Sequence, residues 1–398
     1  MNTYNRLPVA FARGEGCWLW DTAGKRYLDA LAGVAVCGLG HSHPKLVKVL
    51  HDQVANLIHT SNIYQITLQD ELADRLAALS GMDETFFCNS GCEANEAAIK
   101  LARYRGHKKG IEAPAIIVLD KAFHGRTLAT LSATGSRKVQ AGFEPLVPGF
   151  VRVPFDDLDA VRRVAQNNRN VVAVLVELIQ GEGGINVCHD DYLVGLRQIC
   201  DDNGWLLMLD EVQSGIGRTG TWFAFQHSPV KPDVMTLAKG LGSGVPIGAC
   251  LAAGEATGTF KPGSHGSTFG GNPLACAAGV ATLRIIEEDG LRANAVAMGD
   301  RIRAGFAREL DGVPGLVNIR GKGLMIGIEL AHPCGELVER ALAAGMLINV
   351  TADTVVRLLP PLVIDAEQAD LLVATLSPLI RDFLSAAAGA AQPAAKVA

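Results

Sequence analysis

Between Asp233 and Gly248 the chain reads DVMTLAKGLGSGVPIG, a short apolar stretch running into one lysine and then a glycine-rich turn. A lysine at the end of a buried strand faces low dielectric, which favours the neutral amine, and a neutral amine can form a Schiff base with a carbonyl. Gly240, Gly242 and Gly244 let backbone come close to a bulky ligand. Lys239 also has an ordinary alternative, a strand-end residue reaching solvent, so its reading depends on what other residues supply.

Several other positions carry related chemistry. Asp210 ends the apolar run WLLML, and an aspartate there is costly unless paired, so it needs a cationic partner. Asn89-Ser90-Gly91-Cys92 opens a helix, where free N–H groups and the positive dipole end attract anions and Gly91 permits close approach of a phosphate. Plain capping by Asn89 or Ser90 explains the same letters. In KAFHGRT, Phe123 can cover a flat ring and Arg126 can grip a carboxylate with a bidentate fork; alternatively Phe123 is core and Arg126 a surface ion pair. Asn62 and Tyr64, in the polar break HTSNIY, are either site residues or ties of their own loop.

The elements that must position these residues follow from periodicity. GEGCWLWDTAGKRYLDALAG reads as a hairpin pairing Cys17–Trp20 with Arg26–Asp29. Helices are expected over Pro44–Gln53, Thr67–Ser80 and Glu93–Arg105, and over Asp190–Asn203 with Gly204 closing it. Strands are expected at Thr85–Cys88, Ala115–Leu119, Val171–Glu177, Trp205–Leu209, Asp233–Leu237 and Ala249–Ala253; runs apolar at every position mark central strands covered on both faces. This alternation predicts an α/β fold, a doubly wound and mostly parallel sheet whose ligands sit at the C-terminal strand ends. Gly91, Arg126, Glu182, Asp210 and Lys239 all follow strand ends.

After HGSTFGG, Asn272 caps a helix with Pro273 at its first position, running to about Glu288. The pattern then changes to a helix over Leu291–Leu310, a hairpin in LVNIRGKGLMIGIEL, a short helix over Cys334–Ala344, the strands LINV and TVVRLLP, and a helix from Ala366 to about Ala386. The expected organisation is an N-terminal arm and part of a smaller domain (1–45), a large α/β domain (46–287), a smaller α+β domain (288–386) and a flexible low-complexity tail (387–398).

Composition narrows the classes of function. With 48% hydrophobic and 19% charged residues the 398-residue chain is globular, and its longest bulky apolar run, VVAVLV, is far too short for a membrane span. The N-terminus lacks the apolar core of a signal peptide, and nine scattered cysteines suit reduced thiols, so a cytosolic protein is expected. Cys88 and Cys92 lack a second pair, and His41 and His43 lack a nearby carboxylate or thiol, so no metal is expected. A net charge of -5 with no Lys/Arg run longer than a doublet such as Lys108-Lys109 gives no footprint for nucleic acid or an anionic membrane.

Nucleotide motifs fail. G-x-G-x-x-G would need glycine at Val245 or Ile247, and no G-x-x-x-x-G-K-[ST] occurs. Pyridoxal 5'-phosphate needs a lysine for its aldehyde, a buried carboxylate for its ring nitrogen, a phosphate cradle and an aromatic cover, and candidates for all four stand in consistent positions. The chain resembles the class III, fold-type I aminotransferases of the ornithine and acetylornithine group from Gly14 to about Arg381. ARGEGCWLWDTAGKRYLDALAG, FFCNSGCEANEAAIKLAR, FHGRT, ELIQGEGGI, LMLDEVQSGIGRTG, TLAKGLGSGVPIGA, HGSTFGGNPLA and VVRLLPPL carry the resemblance.

That resemblance implies catalytic roles for Lys239, which links to the cofactor and moves the proton, and Asp210, which keeps the ring nitrogen protonated. Cofactor contacts are implied for Gly91, Cys92, Phe123, Glu211, Val212, Gln213 and, from the second subunit of a homodimer, Thr268. Family members commonly have threonine or alanine at the Cys92 position, so its side chain would be incidental, and Leu178 stands where the family's E-P-x-Q-G-E loop has proline. Substrate contacts are implied for Arg126 at the far carboxylate, Arg357 at the near carboxylate, Ser267 from the partner, and Glu182, which pairs with Arg357 and swings aside for glutamate. The implied reaction moves the δ-amino group of N-acetylornithine to 2-oxoglutarate. Succinylornithine, ornithine, 4-aminobutyrate and succinyl-diaminopimelate are alternative donors. An aminomutase or decarboxylase using the same lysine and aspartate, or a non-catalytic binding or regulatory protein on the same fold, are alternative functions.

Overall fold

The computed structural model describes residues 1–390, with side chains as far as Ala387. Three strands, β1 (Phe11–Glu15), β2 (Trp18–Asp21) and β3 (Arg26–Asp29), form an antiparallel meander, its second turn tied by Asp21 Oδ1 to the N–H groups of Ala23 and Lys25, both at 2.9 Å. The expected hairpin is therefore present, with β1 as an unanticipated third strand. Helices follow over Pro44–Asn56 and Thr67–Ser80, the first a turn longer than its apolar spacing predicted.

The central sheet is built from β4 (Glu84–Cys88), β5 (Ala115–Leu119), β6 (Phe150–Val153), β7 (Val171–Val176), β10 (Leu206–Asp210), β11 (Val234–Leu237) and β12 (Gly248–Ala252). The two-residue strands β8 (Ile179–Gln180) and β9 (Asn186–Val187) pair separately between β7 and β10. Along the sheet the order is β4-β12-β11-β10-β7-β5-β6. Neighbours from β11 to β6 are parallel, while β12 is antiparallel to both β11 and β4. β5, β7 and β10 are buried at every position, as their unbroken apolar letters require. β6 went unread because it is an edge strand with only Val153 buried.

The C-terminal part holds an antiparallel sheet in the order β13 (Leu316–Lys322), β14 (Met325–Leu330), β17 (Val355–Leu358) and β16 (Asn349–Thr351). Strand β15 (Met346–Leu347) pairs in parallel with β3, so the N-terminal meander and the C-terminal segment share a sheet. The last helix covers Ala366–Ala390 rather than ending near Ala386; the remainder of the expected tail, 391–398, lies outside the described residues. Among the described residues no helix is long and apolar enough to cross a membrane.

Candidate active site

The C-terminal ends of β4, β5, β7, β10 and β11 form one rim. From β4 the chain enters the helix Gly91–Lys108 through a reciprocal cap: Ser90 Oγ accepts from the Glu93 N–H at 3.2 Å, and Glu93 Oε2 accepts from the Asn89 N–H at 2.9 Å. The N–H groups of Gly91 and Cys92 keep no protein acceptor among the described residues. A Cβ at Gly91 would lie 2.6 Å from Val212 Cγ1, so only glycine lets this turn press against the segment that follows β10. Two free amides at a helix N-terminus suit a phosphate.

Asp210 closes β10 and is 5% exposed. Its Oδ2 accepts from Asn95 Nδ2 and lies beside His124 Nδ1, both at 2.8 Å, and its Oδ1 accepts from the Val212 N–H at 3.0 Å. Asn95 is itself fixed, accepting from Thr236 Oγ1 at 2.7 Å. The sequence demanded a cationic partner; within the chain Asp210 meets an imidazole and a neutral amide, neither of them a fixed cation. Neither was singled out, because Asn95 reads as a polar interruption of a helix face and His124 as one letter of FHGRT. His124 Nε2 is buried with no hydrogen-bond partner among the described residues.

Asp210 faces Thr236 across parallel neighbours β10 and β11, and three residues beyond Thr236 stands Lys239. Lys239 has φ +45, a left-handed conformation in a residue with a Cβ, of the kind that persists only where the surroundings enforce it. Among the described residues no hydrogen bond or ion pair reaches its amine. Burial pushes its pKa down; the charges of Glu182, Asp210 and Glu177 oppose that push and Arg357 adds to it. Lysine and aspartate therefore occupy one electrostatic environment.

Arg357, on β17, is 1% exposed. It donates from Nε to Asn349 Oδ1 at 2.8 Å and from Nη1 to Glu182 Oε1 at 2.6 Å and Gln213 Oε1 at 3.2 Å. The Glu182 side chain is 38% exposed, so the pair joins a buried cation to a partly exposed anion. Arg126 is exposed, its guanidinium 5.7 Å from the Phe123 ring centroid, and no ion pair engages it among the described residues. A cavity of about 1070 Å³ is lined by Phe123, Arg126 and Glu182 together with Leu31, Lys121, Asn349 and Thr351.

Not every expected residue joins this group. Both Glu211 oxygens turn away, taken by the N–H groups of Ala224 and Phe225 and by Ser214 Oγ at 2.8 Å each. Ser267 and Thr268 lie on a loop held by Asn62, whose Nδ2 donates to the carbonyls of Ser267 and Gly270, both at 3.0 Å; Thr268 is exposed. Asn62 is therefore a loop tie, and Tyr64 is 65% exposed. Cys92 does more than fill its place: its Sγ accepts from the N–H groups of Arg126 and Thr127, both at 3.3 Å, binding the cradle helix to the loop that carries Phe123 and Arg126. Among the described residues no group of three or more His, Cys, Asp or Glu is placed to hold a metal.

Free helix-terminal amides, a sequestered carboxylate and an amine of lowered pKa at the strand ends of an α/β sheet fit a pyridoxal phosphate-dependent transferase of fold type I. Comparison with known proteins gives the family: residues 1–380 match the class-III aminotransferases, and the chain belongs to that family. An acetylornithine aminotransferase of Nitrosomonas europaea is 64% identical over 384 residues, covering 96% of this chain and 98% of its own. Among solved structures, the ornithine aminotransferase of Toxoplasma gondii superposes with a TM-score of 0.91 at 34% identity, covering 98% of this chain and 93% of its own. An acetylornithine aminotransferase from Elizabethkingia anophelis gives 0.87 at 37% identity, with 96% of each chain covered.

Proposed function

We propose that the protein transfers the δ-amino group of N-acetylornithine to 2-oxoglutarate, giving N-acetylglutamate semialdehyde and glutamate in two half-reactions. Pyridoxal 5'-phosphate supplies an electrophilic aldehyde and a sink for the electrons released when the C–H bond breaks. Lys239 would hold it covalently, Asp210 would ion-pair with its ring nitrogen, the Gly91 and Cys92 amides would take its phosphate, and Phe123 and Val212 would enclose its ring, with Gln213 near its phenolic oxygen. Lys239 Nζ, with no protein partner among the described residues, takes and returns the proton of the carbon that carries the migrating amine.

The observation that carries the substrate assignment is the Glu182–Arg357 pair at 2.6 Å. One site must accept an ω-amine donor with no carboxylate near the reacting carbon and also an α-amino acid that has one. With Glu182 in place Arg357 is neutralised for the donor; when Glu182 withdraws, the guanidinium is released to the carboxylate of glutamate or 2-oxoglutarate. Arg126, unpaired in the same cavity, suits the distant carboxylate. The names of the relatives support acetylornithine as donor.

The reading includes a homodimer in which Ser267 and Thr268 of each subunit complete the other's site, and a cytosolic setting, supported by nine free cysteines. It also includes the division into a cofactor-binding unit, 46–287, and a smaller unit made of 1–45 with 288–386, supported by the β3–β15 pairing. The test is kcat/KM for N-acetylornithine against ornithine, succinylornithine and 4-aminobutyrate, with glutamate formed from 2-oxoglutarate quantified alongside and Lys239→Ala as control. Preference for acetylornithine with stoichiometric glutamate, and no turnover by the folded control, is expected. Preference for another donor moves the substrate assignment, and activity in Lys239→Ala overturns the mechanism.

A further inference from the structure

Two loops carry the expected ring cover and the expected gate: the loop after β5 bears Phe123 and Arg126, and the loop after β7 bears Glu182. They are stitched together twice. The outer stitch is neutral, Gln180 Nε2 donating to Asp120 O at 2.7 Å. The inner one is a single carboxylate, Glu177, 5% exposed at the end of β7: its Oε1 accepts from the Phe123 N–H at 2.8 Å and its Oε2 from the Gly181 N–H at 3.1 Å. Gly181 directly precedes Glu182, and a Cβ there would lie 2.3 Å from Gln213 Oε1, so this backbone has no room to shift toward Gln213.

We propose that Glu177 is a positioning residue that couples the two halves of the site, one ionised carboxylate holding the Phe123 backbone in register with the Glu182 loop. The inference rests on the function proposed above. Both its oxygens must accept for both N–H groups to be satisfied, which the ionised form does at full strength; protonation weakens one of the two acceptors, and an amidated side chain sets its NH₂ against one buried amide. The titratable groups facing it are Asp210 from β10, His124 from its neighbouring loop and Lys239 beyond β11. Burial, reinforced by the charge of Asp210, pushes the Glu177 carboxyl up to about 7 against the pull of His124 and the two amides. Acidification therefore weakens this stitch.

The test compares wild type with Glu177→Gln as holoenzymes, measuring single-turnover rate constants for each half-reaction and the circular dichroism of the cofactor band from about pH 6 to about pH 8.5. At the upper pH the variant is expected to bind cofactor stoichiometrically but to show a changed dichroism and a rate roughly tenfold or more lower, the effect of losing one charged hydrogen bond. Toward the lower pH, where wild-type Glu177 is itself protonated, the ratio of the two rates should close toward unity. A ratio that stays constant across the range, or a variant equal to wild type, overturns the coupling. Wild type lacking both the cofactor band and turnover would remove the functional reading and this inference together.

Discussion

At the scale of single residues, Arg357 shows how placement turns a common side chain into a selective one. A guanidinium 1% exposed needs its acceptors, and it finds three, of which only Glu182 carries charge. Arg357→Ala should therefore act unequally. The half-reaction with glutamate loses a buried carboxylate contact, about 2 to 5 kcal/mol in kcat/KM, while the acetylornithine half-reaction, in which Glu182 only shields the arginine, changes far less. Equal losses in both halves would mean that the residue is merely structural. Glu182 and Arg126 were legible from the sequence because each follows a strand end, whereas Arg357, inside β17, was legible only through its family-like motif VVRLLPPL. Asn349, Asn95, His124 and Glu177 were not, because a residue that acts by holding another leaves no periodicity and is recognised only when its partner's atoms are located.

At the scale of elements, the segment after β3 links the site's parts. Ala32, Gly33, Val34 and Ala35 all have positive φ, a left-handed turn that costs roughly 1–2 kcal/mol for each residue with a Cβ. Asp29 holds it, with Oδ1 accepting from the N–H groups of Leu31 (2.9 Å) and Ala32 (2.8 Å), while Oδ2 meets His41 Nε2 at 2.8 Å. From this anchor the strap reaches the lysine turn, Leu39 N–H donating to Ser243 Oγ at 3.0 Å, and the Arg357 strand, Leu359 N–H donating to Ala30 O at 2.8 Å. No sequence pattern announces a strained turn whose stability comes from distant contacts; ALAGVAV reads locally as an apolar helix start. Likewise, the apolar run of β12 revealed a buried strand but not its antiparallel direction, since burial on both faces looks the same either way. The anchor makes a pH prediction. The hydrogen bond to Asp29, aided by Cys37, raises His41 from 6.5 to about 9 against desolvation. A raised histidine pKa contributes stability that is complete below the unfolded value and is lost as pH rises through the folded one. Unfolding free energy from denaturant titration should fall on the order of 1–2 kcal/mol between about pH 6.5 and 9 once solvent screening is allowed for. His41→Asn should remove that part of the slope, and a variant whose curve keeps the wild-type slope would separate the anchor from stability.

At the scale of the whole molecule, one surface remains unexplained by a single chain. Val54, Leu57, Ile58, Ile63 and Phe269 are exposed, the His59 ring sits 5.2 Å from that of Phe269, and Asn62 and Gln69 bind the loop that carries Ser267 and Thr268. The exposed apolar side chains therefore adjoin the loop that carries Ser267, whose Oγ also accepts from Asn89 Nδ2 at 3.3 Å beside the Gly91 turn. Exposed apolar side chains gathered beside such a loop suit a partner, and a twofold contact through them would present both loops at once. Ile58→Asp with Ile63→Asp alters only side chains that are 51% and 80% exposed, so the fold of one chain should survive. On the proposed homodimer, sedimentation should then move from about twice the chain mass to 42.0 kDa. If Thr268 of the partner subunit reaches the phosphate, the same variant should release pyridoxal phosphate roughly ten- to a hundredfold more readily, the effect of one charge-assisted hydrogen bond withdrawn. A monomeric variant that keeps wild-type cofactor affinity would confine the active site to one chain, and a variant that stays dimeric would move the interface to another face.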